Sequence, residues 1–349
     1  MKNSRLWGVV VLLLLAAVVF VFRGRIHFDV HSFVAEVRQI DGRHVAAGVA
    51  LILGCYWLRA LRWALFLRPL RSDEAPKRVT ALNVLGSQFI GFTAVALFGR
   101  LADLTRPYLV AKRTQLSVSS QIAVYTVERM FDLGSAALIF SGALAFMPKT
   151  PPMPHAEVIA RVGRGSLLAT LALAVFAVVL RVTGETIARF ARVVFGAISA
   201  KLGESVAEKI RGFRDGLRVV TSVGEFAYAL GLSLAMWMMI AMAYVQSVHA
   251  FRGTPQLAQM SFSQTMLLMG SSIAGSVIQL PIVGWFSQIG VTAAAMTGLF
   301  GVRVETATAC GAVILAVCSL SVIPVGLIYA QFEQVSLKKV AEESAEAEK

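Results

Sequence analysis

The sequence predicts an all-α polytopic membrane protein with about six full transmembrane helices and two re-entrant, broken-helix hairpins. The chain of 349 residues is 57% hydrophobic and only 15% charged, whereas soluble proteins carry about 25% charged residues. Its apolar runs approach the roughly 20 residues that cross a bilayer as a helix, and they lack the alternation of barrel strands. The basic loops between these runs then determine which segments cross fully.

Nine apolar segments lie at 6–22, 44–67, 79–98, 118–147, 165–182, 224–250, 262–280, 284–300 and 304–331. The first is interpreted as an uncleaved anchor, because it is long and no small-residue cleavage site follows it. Residues 29–42 are amphipathic and too charged to span, so we expect them to lie along the surface. We assign one transmembrane domain to 1–335 and a disordered cytoplasmic tail to 336–349.

The positive-inside rule indicates which segments return to the side they entered from. It predicts cytoplasmic positions for the N-terminus, the loop 68–78 and an amphipathic region at 183–221. A single crossing by 79–113 would leave 183–221 outside, whereas a hairpin brings it back inside. The same reasoning makes 262–300 a second hairpin from the opposite face, although a full span at 262–280 remains an alternative. Both termini are then cytoplasmic, and we expect the protein to lie in the inner cell membrane.

Broken helices in corresponding positions of two halves indicate a transporter site near the bilayer midplane. No internal repeat is evident in the residues themselves, and an inverted relation between the halves stays open. The stretch "GRLADLTRPYLV" ends the first hairpin. Arg100, Asp103 and Arg106 are spaced i, i+3 and i+6 on one side of a short helix, which Pro107 should break at Arg106. They are either ordinary flanking charges or an anion site, and the hairpin favours an anion site.

Further charges lie within apolar segments. Glu128, Arg129 and Asp132 occupy the middle of 118–147, where one charge costs at least about 2.5–3.5 kcal/mol unless it faces protein or water. They form either a structural ion-pair cluster or, as we favour, the lining of a polar cavity. Arg59 and Arg62 lie two turns inside the second segment. They either face inward or snorkel to the interface, with Trp63 in the aromatic belt.

Together the three clusters hold five arginines and three carboxylates. If they meet, the surplus of positive charge suits a phosphate or another anionic head group, because arginine pairs with phosphate in a bidentate manner. Gln288 represents a set of neutral polar residues in the second hairpin. The residues of this set could equally donate hydrogen bonds to a substrate or hold neighbouring helices together. Besides Gln288, the set contains Gln264, Ser271, Ser272, Gln279 and Ser287.

Other function classes find little support. The net charge of +13 is explained by cytoplasmic loops and anionic lipid, so no nucleic-acid partner is expected. The three cysteines lie in apolar segments and predict no disulfide. HExxH, GxSxG and P-loop motifs are absent from the sequence, and its histidines are scattered. We therefore expect no catalytic residue, cofactor or metal, and no enzyme activity.

The stretch "FGRLADLTRPYLVAKR" followed by "SQIAVYTVERMFDLGSAALI" resembles the lysylphosphatidylglycerol synthase transmembrane region. This flippase-like domain is also found in the multiple peptide resistance factor. The family pattern G-R-x-G/A-E/D-x-x-R-P, then E-R-x-x-D, corresponds to Gly99, Arg100, Asp103, Arg106, Pro107, Glu128, Arg129 and Asp132. The "LRALRW" stretch is similar to the family's early arginine pair. Where the family commonly has an Arg-Glu pair, this chain has Gln288, so substrate and proton coupling are not carried over.

The resemblance implies a lipid flippase, and the positive surplus of the three clusters indicates that the head group it moves between leaflets is polar and anionic. Arg100, Arg106 and Arg129 would bind the anion and Arg59 and Arg62 would attract it, while Asp103, Glu128 and Asp132 would orient the arginines. The alternatives are a proton-coupled transporter of a soluble anion and a non-catalytic accessory subunit of a lipid-modifying system. Membrane lipids are the expected partners. No synthase domain follows, so a separate lipid-synthesising enzyme is a further candidate partner, and homo-oligomerisation stays open.

Overall fold

The computed structural model describes residues 28–68, 80–114, 116, 118–147, 156–197, 199–201, 203–207, 222–277 and 283–336. Outside these ranges lie the predicted first segment, nearly all of the loop 68–78, residues 208–221 of the predicted amphipathic region and the tail after 336. Within the described ranges every regular element is a helix, which confirms the all-α class.

Most of the helices follow the predicted segments closely. They are α1 Val30–Arg38, α2 Gly42–Phe66, α3 Ala81–Phe98, α4 Thr105–Thr114, α5 Val118–Ala145, α6 Ala156–Gly196, α7 Val223–His249, α8 Pro255–Ala258, α9 Phe262–Gly275, α10 Val283–Phe300, α11 Val304–Leu315 and α12 Val322–Phe332. A five-residue π-helical turn, Ala316–Leu320, joins α11 to α12.

Several of these helices are long and apolar enough to cross a membrane. Among the described residues five stretches qualify: Gly42–Phe66, Ala156–Val175, Val223–His249, Val283–Phe300 and Val304–Phe332. The last is α11, the π turn and α12 together. The protein is therefore an integral, polytopic membrane protein.

The amphipathic segment forms α1, which lies on the surface of the bundle beside α11. The Glu36 carboxylate accepts a hydrogen bond from Thr306 at 3.0 Å, and the Asp29 amide donates to Glu305 at 3.2 Å. Val30 and Val34 lie on the other side of α1 and are exposed.

The chain reverses direction between α3 and α4, which we call the first hairpin. Gly99 has a φ of 69°, a left-handed conformation that glycine adopts at no steric cost. A Cβ placed on Gly91 of α3 would lie 2.7 Å from the Cβ of Arg106 on α4, so α4 runs back directly against α3. At ten residues, α4 is about 15 Å long, too short to cross the bilayer. That this hairpin enters and leaves on one membrane face stays a prediction.

The helix does not break at Arg106, as Pro107 led us to expect. The break comes earlier, in the short 3-10 helix Gly99–Ala102 and the turn that follows, and α4 begins at Thr105. Pro107 therefore lies in the first turn of α4, where a missing N–H costs no helical hydrogen bond. Arg100, Asp103 and Arg106 consequently do not share one helix, and that prediction is wrong.

Helices α9 and α10, the second hairpin, also fold back on each other. A Cβ on Gly275 would lie 2.8 Å from the Cα of Gln288. Met260, just before α9, and Met296, near the end of α10, belong to one core cluster at the end of the bundle where α7 finishes. With 14 residues, α9 is about 21 Å long, which does not favour the alternative of a full span at 262–280. Entry from the opposite membrane face stays a prediction.

Helix α6 differs from the prediction of a span at 165–182 followed by a separate region at 183–221. It is a single helix of 41 residues, about 60 Å long, and its candidate span is shifted to Ala156–Val175. The charged residues after 183 change the polarity of the helix surface, but residues 183–196 contain no proline, so the helix continues. Only 6% of the span is buried. It packs along α5, where a Cβ on Gly163 would lie 2.6 Å from Leu144.

Candidate functional site

Charged side chains from three separated parts of the sequence meet inside the bundle. Glu128 and Asp132 come from α5, Arg59 and Arg62 from α2, and Arg106 from the start of α4; each is less than a tenth exposed. Glu128 lies ten residues after the beginning of α5, about 15 Å from that end. We call these five residues, with Arg129, the arginine–carboxylate cluster.

The Glu128 carboxylate joins three helices. Its Oε1 accepts hydrogen bonds from Arg62 Nη2 at 2.9 Å and from Arg106 Nη1 at 3.0 Å, and its Oε2 lies 2.8 Å from the same Arg106 nitrogen. Such charge-assisted bonds are roughly twice as strong as neutral ones. They hold the first hairpin and α2 against the middle of α5.

Asp132, one turn further along α5, completes the pairing. Its Oδ1 accepts from Arg62 Nη2 at 2.7 Å and its Oδ2 from Arg59 Nη1 at 3.2 Å. The other Arg62 nitrogen donates to Ser233 on α7 at 2.6 Å. Arg62 is only 1% exposed, so it does not snorkel, because two carboxylates and a hydroxyl inside the bundle accept hydrogen bonds from its two terminal nitrogens.

Trp63 is not an aromatic-belt residue. It is fully buried, and its Nε1 donates to Gln121 at 3.2 Å. Its ring lies 4.8 Å from the Arg106 guanidinium, which also contacts the rings of Phe92 and Tyr125 at 4.7 and 5.1 Å. Aromatic faces stabilise a desolvated guanidinium, so these rings partly replace water around Arg106.

Arg129 differs from its two neighbours, because its side chain is 39% exposed. Consecutive helical residues point about 100° apart, so Arg129 cannot face the same side as Glu128. Its guanidinium still reaches back to Asp132, at 3.3 Å, and lies 5.1 Å from the Tyr125 ring. Arg129 is therefore the accessible cation at the edge of the cluster.

Less is known of the positions of Arg100 and Asp103, the other two predicted site residues of the first hairpin. The backbone of Arg100 lies in the 3-10 turn, but its side chain is outside what the structure describes. Asp103 is half-buried in the following turn and makes a polar or ionic contact there.

Sequence reasoning missed several neutral members of the site. Gln88 on α3 accepts a hydrogen bond from Arg106 at 3.0 Å, and Gln121 and Ser233 hold Trp63 and Arg62. Each is a polar residue within an apolar segment, and that isolated polarity was the available signal. In the part of the chain that the structure describes, the donors Gln88 Nε2 and Arg62 Nε and the acceptor Glu128 Oε2 are buried without a hydrogen-bond partner, so the hydrogen-bonding capacity of the site is not fully used.

A cavity of about 290 Å³ lies between the two helix breaks, and we call it the central cavity. Arg59, Phe92 and Gly99 line one side, and Ser276, Trp285 and Gln288 of the second hairpin line the opposite side. The π-helical turn adds Cys318 and Ser319; π turns often occur at functional sites. Arg59 thus belongs to both the arginine–carboxylate cluster and the cavity wall.

Gln288 lies in this opposite wall. Its Nε2 donates to Ser272 at 2.8 Å, and Tyr244 donates to the same hydroxyl at 3.1 Å. Gln264 instead forms the N-terminal capping box of α9 with Ser261, which is a structural role. Ser271 donates to the Leu267 carbonyl, and Gln279 lies outside the described residues.

Among the described side chains, the arginine–carboxylate cluster has four guanidinium groups and two carboxylates. Its surplus of two positive charges equals the surplus expected for all three predicted clusters together. One of these two charges belongs to the partly exposed Arg129, so the buried members alone carry a surplus of one positive charge beside the cavity. Such a surplus is costly in a membrane unless an anion or water neutralises it.

Residues 5–328 match the family model of the lysylphosphatidylglycerol synthase TM region. The chain belongs to this family. Membership of this family indicates a membrane protein of lipid metabolism that contains a flippase-type domain. The match includes the whole arginine–carboxylate cluster and the lining of the central cavity. No curated protein and no solved structure was found to match the chain.

Proposed function

We propose that this protein moves a polar, anionic lipid head group between the leaflets of the inner cell membrane while the acyl part remains in the bilayer. One observation carries the proposal: a buried cluster with surplus positive charge borders, through Arg59, a cavity between two helix breaks. An anionic head group crossing hydrocarbon needs such a site, because an unpaired charge at that depth is costly.

Arg59 is the group best placed to receive the anion. Its ion pairs, 3.2 Å to Asp132 and 3.4 Å to Glu128, are longer than those of Arg62, at 2.7 and 2.9 Å. The weaker pairs are easier to exchange for a phosphate oxygen, and Arg59 also lines the central cavity. Arg62 has shorter bonds to both acids and to Ser233, so its role is to position the carboxylates rather than to attract lipid.

In this proposal the two hairpins enter from opposite faces, and both termini are cytoplasmic. The protein makes and breaks no covalent bond, and a separate enzyme synthesises the lipid. The proton-coupled alternative assigns proton transfer to Glu128 or Asp132. Glu128 is fully buried among guanidinium groups and does not line the cavity, so this arrangement favours a positioning role.

The test is lipid movement in liposomes that contain the purified protein and a tail-labelled anionic phospholipid, followed by chemical quenching of the outer-leaflet label. Arg59→Ala should slow movement at least tenfold, and Arg59→Lys should slow it less, because charge is kept while the planar fork is lost. The matched control is Arg252→Ala, which removes an exposed arginine that pairs with Asp41.

Thermal melting of each variant separates lost function from lost folding. Wild-type rates in a well-folded Arg59→Ala protein would overturn the proposal. Wild-type protein that moves no lipid but exports trapped inorganic phosphate would indicate the soluble-anion transporter instead. Movement of neither substrate would indicate the accessory-subunit alternative.

A further inference from the structure

We infer that the central cavity selects lipids whose head group is a singly charged phosphodiester bearing hydroxyl groups, and disfavours head groups that carry an ammonium group. This inference rests on the proposed function and specifies its substrate class. It follows from the charges, hydrogen-bonding groups and size of the cavity.

The wall of the central cavity carries a positive charge. Among the described residues that line the cavity, Arg59 is the charged one and none is acidic. Glu128 and Asp132 lie behind Arg59 and are already paired with arginines. An ammonium group in the cavity would therefore lack a counter-ion and would be repelled by Arg59, whereas a phosphodiester would be neutralised.

Phe92 limits the number of cations that reach the ligand. Its ring lies 4.8 Å from the Arg59 guanidinium and 4.7 Å from that of Arg106, and it lines the cavity whereas Arg106 does not. The ring therefore stands between the cavity and the second cation. Of the side chains that the structure describes, Arg59 is then the guanidinium that lines the cavity, and its one positive charge matches one negative charge better than the two of a phosphomonoester.

The opposite wall offers neutral hydrogen-bonding groups. Because Gln288 Nε2 donates to Ser272, its Oε1 is left as an acceptor. Ser276 donates to the Ile273 carbonyl, so its hydroxyl oxygen can accept as well. Ser319 adds a further hydroxyl to the lining. These groups suit the hydroxyls of a polyol, which donate and accept hydrogen bonds and need no counter-ion.

The size of the cavity gives an upper limit. A volume of about 290 Å³ lies at the small end of ligand pockets, which run from about 300 to 1,000 Å³. The lining also contains apolar side chains, among them Ile52, Val95 and Ile240. The cavity therefore suits a phosphate with a small alcohol rather than an oligosaccharide.

The experiment compares tail-labelled lipids with one acyl composition in the same liposomes: phosphatidylglycerol, phosphatidic acid, phosphatidylethanolamine and lysylphosphatidylglycerol. We expect phosphatidylglycerol to move at least tenfold faster than either amine-bearing lipid, and faster than phosphatidic acid. Equal or faster movement of an amine-bearing lipid would overturn the inference while leaving the proposed function intact. Movement of none of the four would instead overturn the proposed function.

A charge change in the wall tests the physical cause. Gln288→Glu supplies the missing counter-ion and should shift the rate ratio of phosphatidylethanolamine to phosphatidylglycerol upward by at least threefold. Gln331→Glu makes the same change at an exposed position of α12 and should leave the ratio unchanged. An unchanged ratio in a folded Gln288→Glu protein would overturn the assignment of this wall to the head group.

Discussion

Arg106 Nη1 lies 2.8 Å from Glu128 Oε2, and this ion pair ties the returning half of the first hairpin to the centre of α5. Both side chains are buried. Removing one partner of a buried pair leaves an uncompensated charge and typically costs about 3–5 kcal/mol. Arg106→Ala should therefore lower the melting temperature in detergent strongly.

Arg106→Lys provides the control for that prediction. Lysine keeps the charge beside Glu128 but loses the flat guanidinium that contacts Trp63, Phe92 and Tyr125. It should melt between wild type and Arg106→Ala. Equal melting temperatures for all three proteins would contradict the importance of this pair for the hairpin.

Arg62→Ala should destabilise the protein more than Ser233→Ala does. The arginine change strands Glu128 and Asp132, whereas the serine change removes one hydrogen-bond partner of Arg62. A single hydrogen bond to a charged group contributes about 1.5–3 kcal/mol. Thermal melting of the two variants measures the difference, and the reverse order would show that α7 rather than α5 holds Arg62.

Gly86→Ala should loosen the end of α12 from the first hairpin. Glu333, just after α12, forms an ion pair with Arg113 of α4, and its carboxylate lies against Gly86. A Cβ at position 86 would collide with that carboxylate and displace it. We expect faster proteolysis of the chain beyond α12. Gly134→Ala, where a Cβ meets open space, is the control and should behave like wild type.

Stability should fall at acidic pH partly through Asp41, which lies before α2. The Arg43 backbone N–H donates to its side chain at 2.9 Å and, together with the nearby Arg252, holds the pKa of Asp41 below its ordinary value. A carboxyl with a lowered folded-state pKa stabilises the fold above its unfolded pKa, and this contribution is lost as pH falls through the folded value.

Asp41→Asn isolates that effect, because asparagine also caps helices well but does not titrate. Its melting temperature should decline less than that of wild type as pH drops below about 4. Parallel declines for the two proteins would assign the acid sensitivity to other groups.

The exposed face of α6 should contact lipid. Leu173 is 67% exposed and lies in the candidate span, whereas Ala60 on α2 is fully buried. A spin label at Leu173→Cys should show high collision rates with oxygen, and one at Ala60→Cys should show low rates. Low accessibility at both positions would indicate that another protein surface covers α6.

That the chain folds back in both hairpins could be predicted from the chain alone. The position of the first break could not, because it was expected at Arg106 and lies at Gly99–Ala102. Basic loops at 68–78 and 183–221 required an even number of crossings, and glycine and proline residues marked where reversal was possible.

The charges of Glu128 and Asp132 were predictable as inward-facing, because three charges within five residues at mid-bilayer are costly in contact with lipid. For Arg59, Arg62 and Arg106 an inward position was one of two alternatives.

The orientation of individual side chains was harder to predict from the sequence. Arg62 and Trp63 both had a plausible place at the membrane interface, and only the carboxylates on α5 and the hydroxyl of Ser233 explain why they turn inward. The continuity of α6 was also missed, since a change from apolar to charged residues marks an interface and not a helix end.

By itself, the sequence determined that this chain forms membrane helices, which segments fold back on each other and that Glu128 and Asp132 must avoid lipid, since these depend on local composition and the cost of burial. Only the tertiary structure decided that Arg59 faces the cavity while Arg62 and Arg106 do not, and that Gln88 and Gln288 serve different sites. These outcomes depend on which side chains from distant helices meet, and spacing along one helix carries no information about its neighbours.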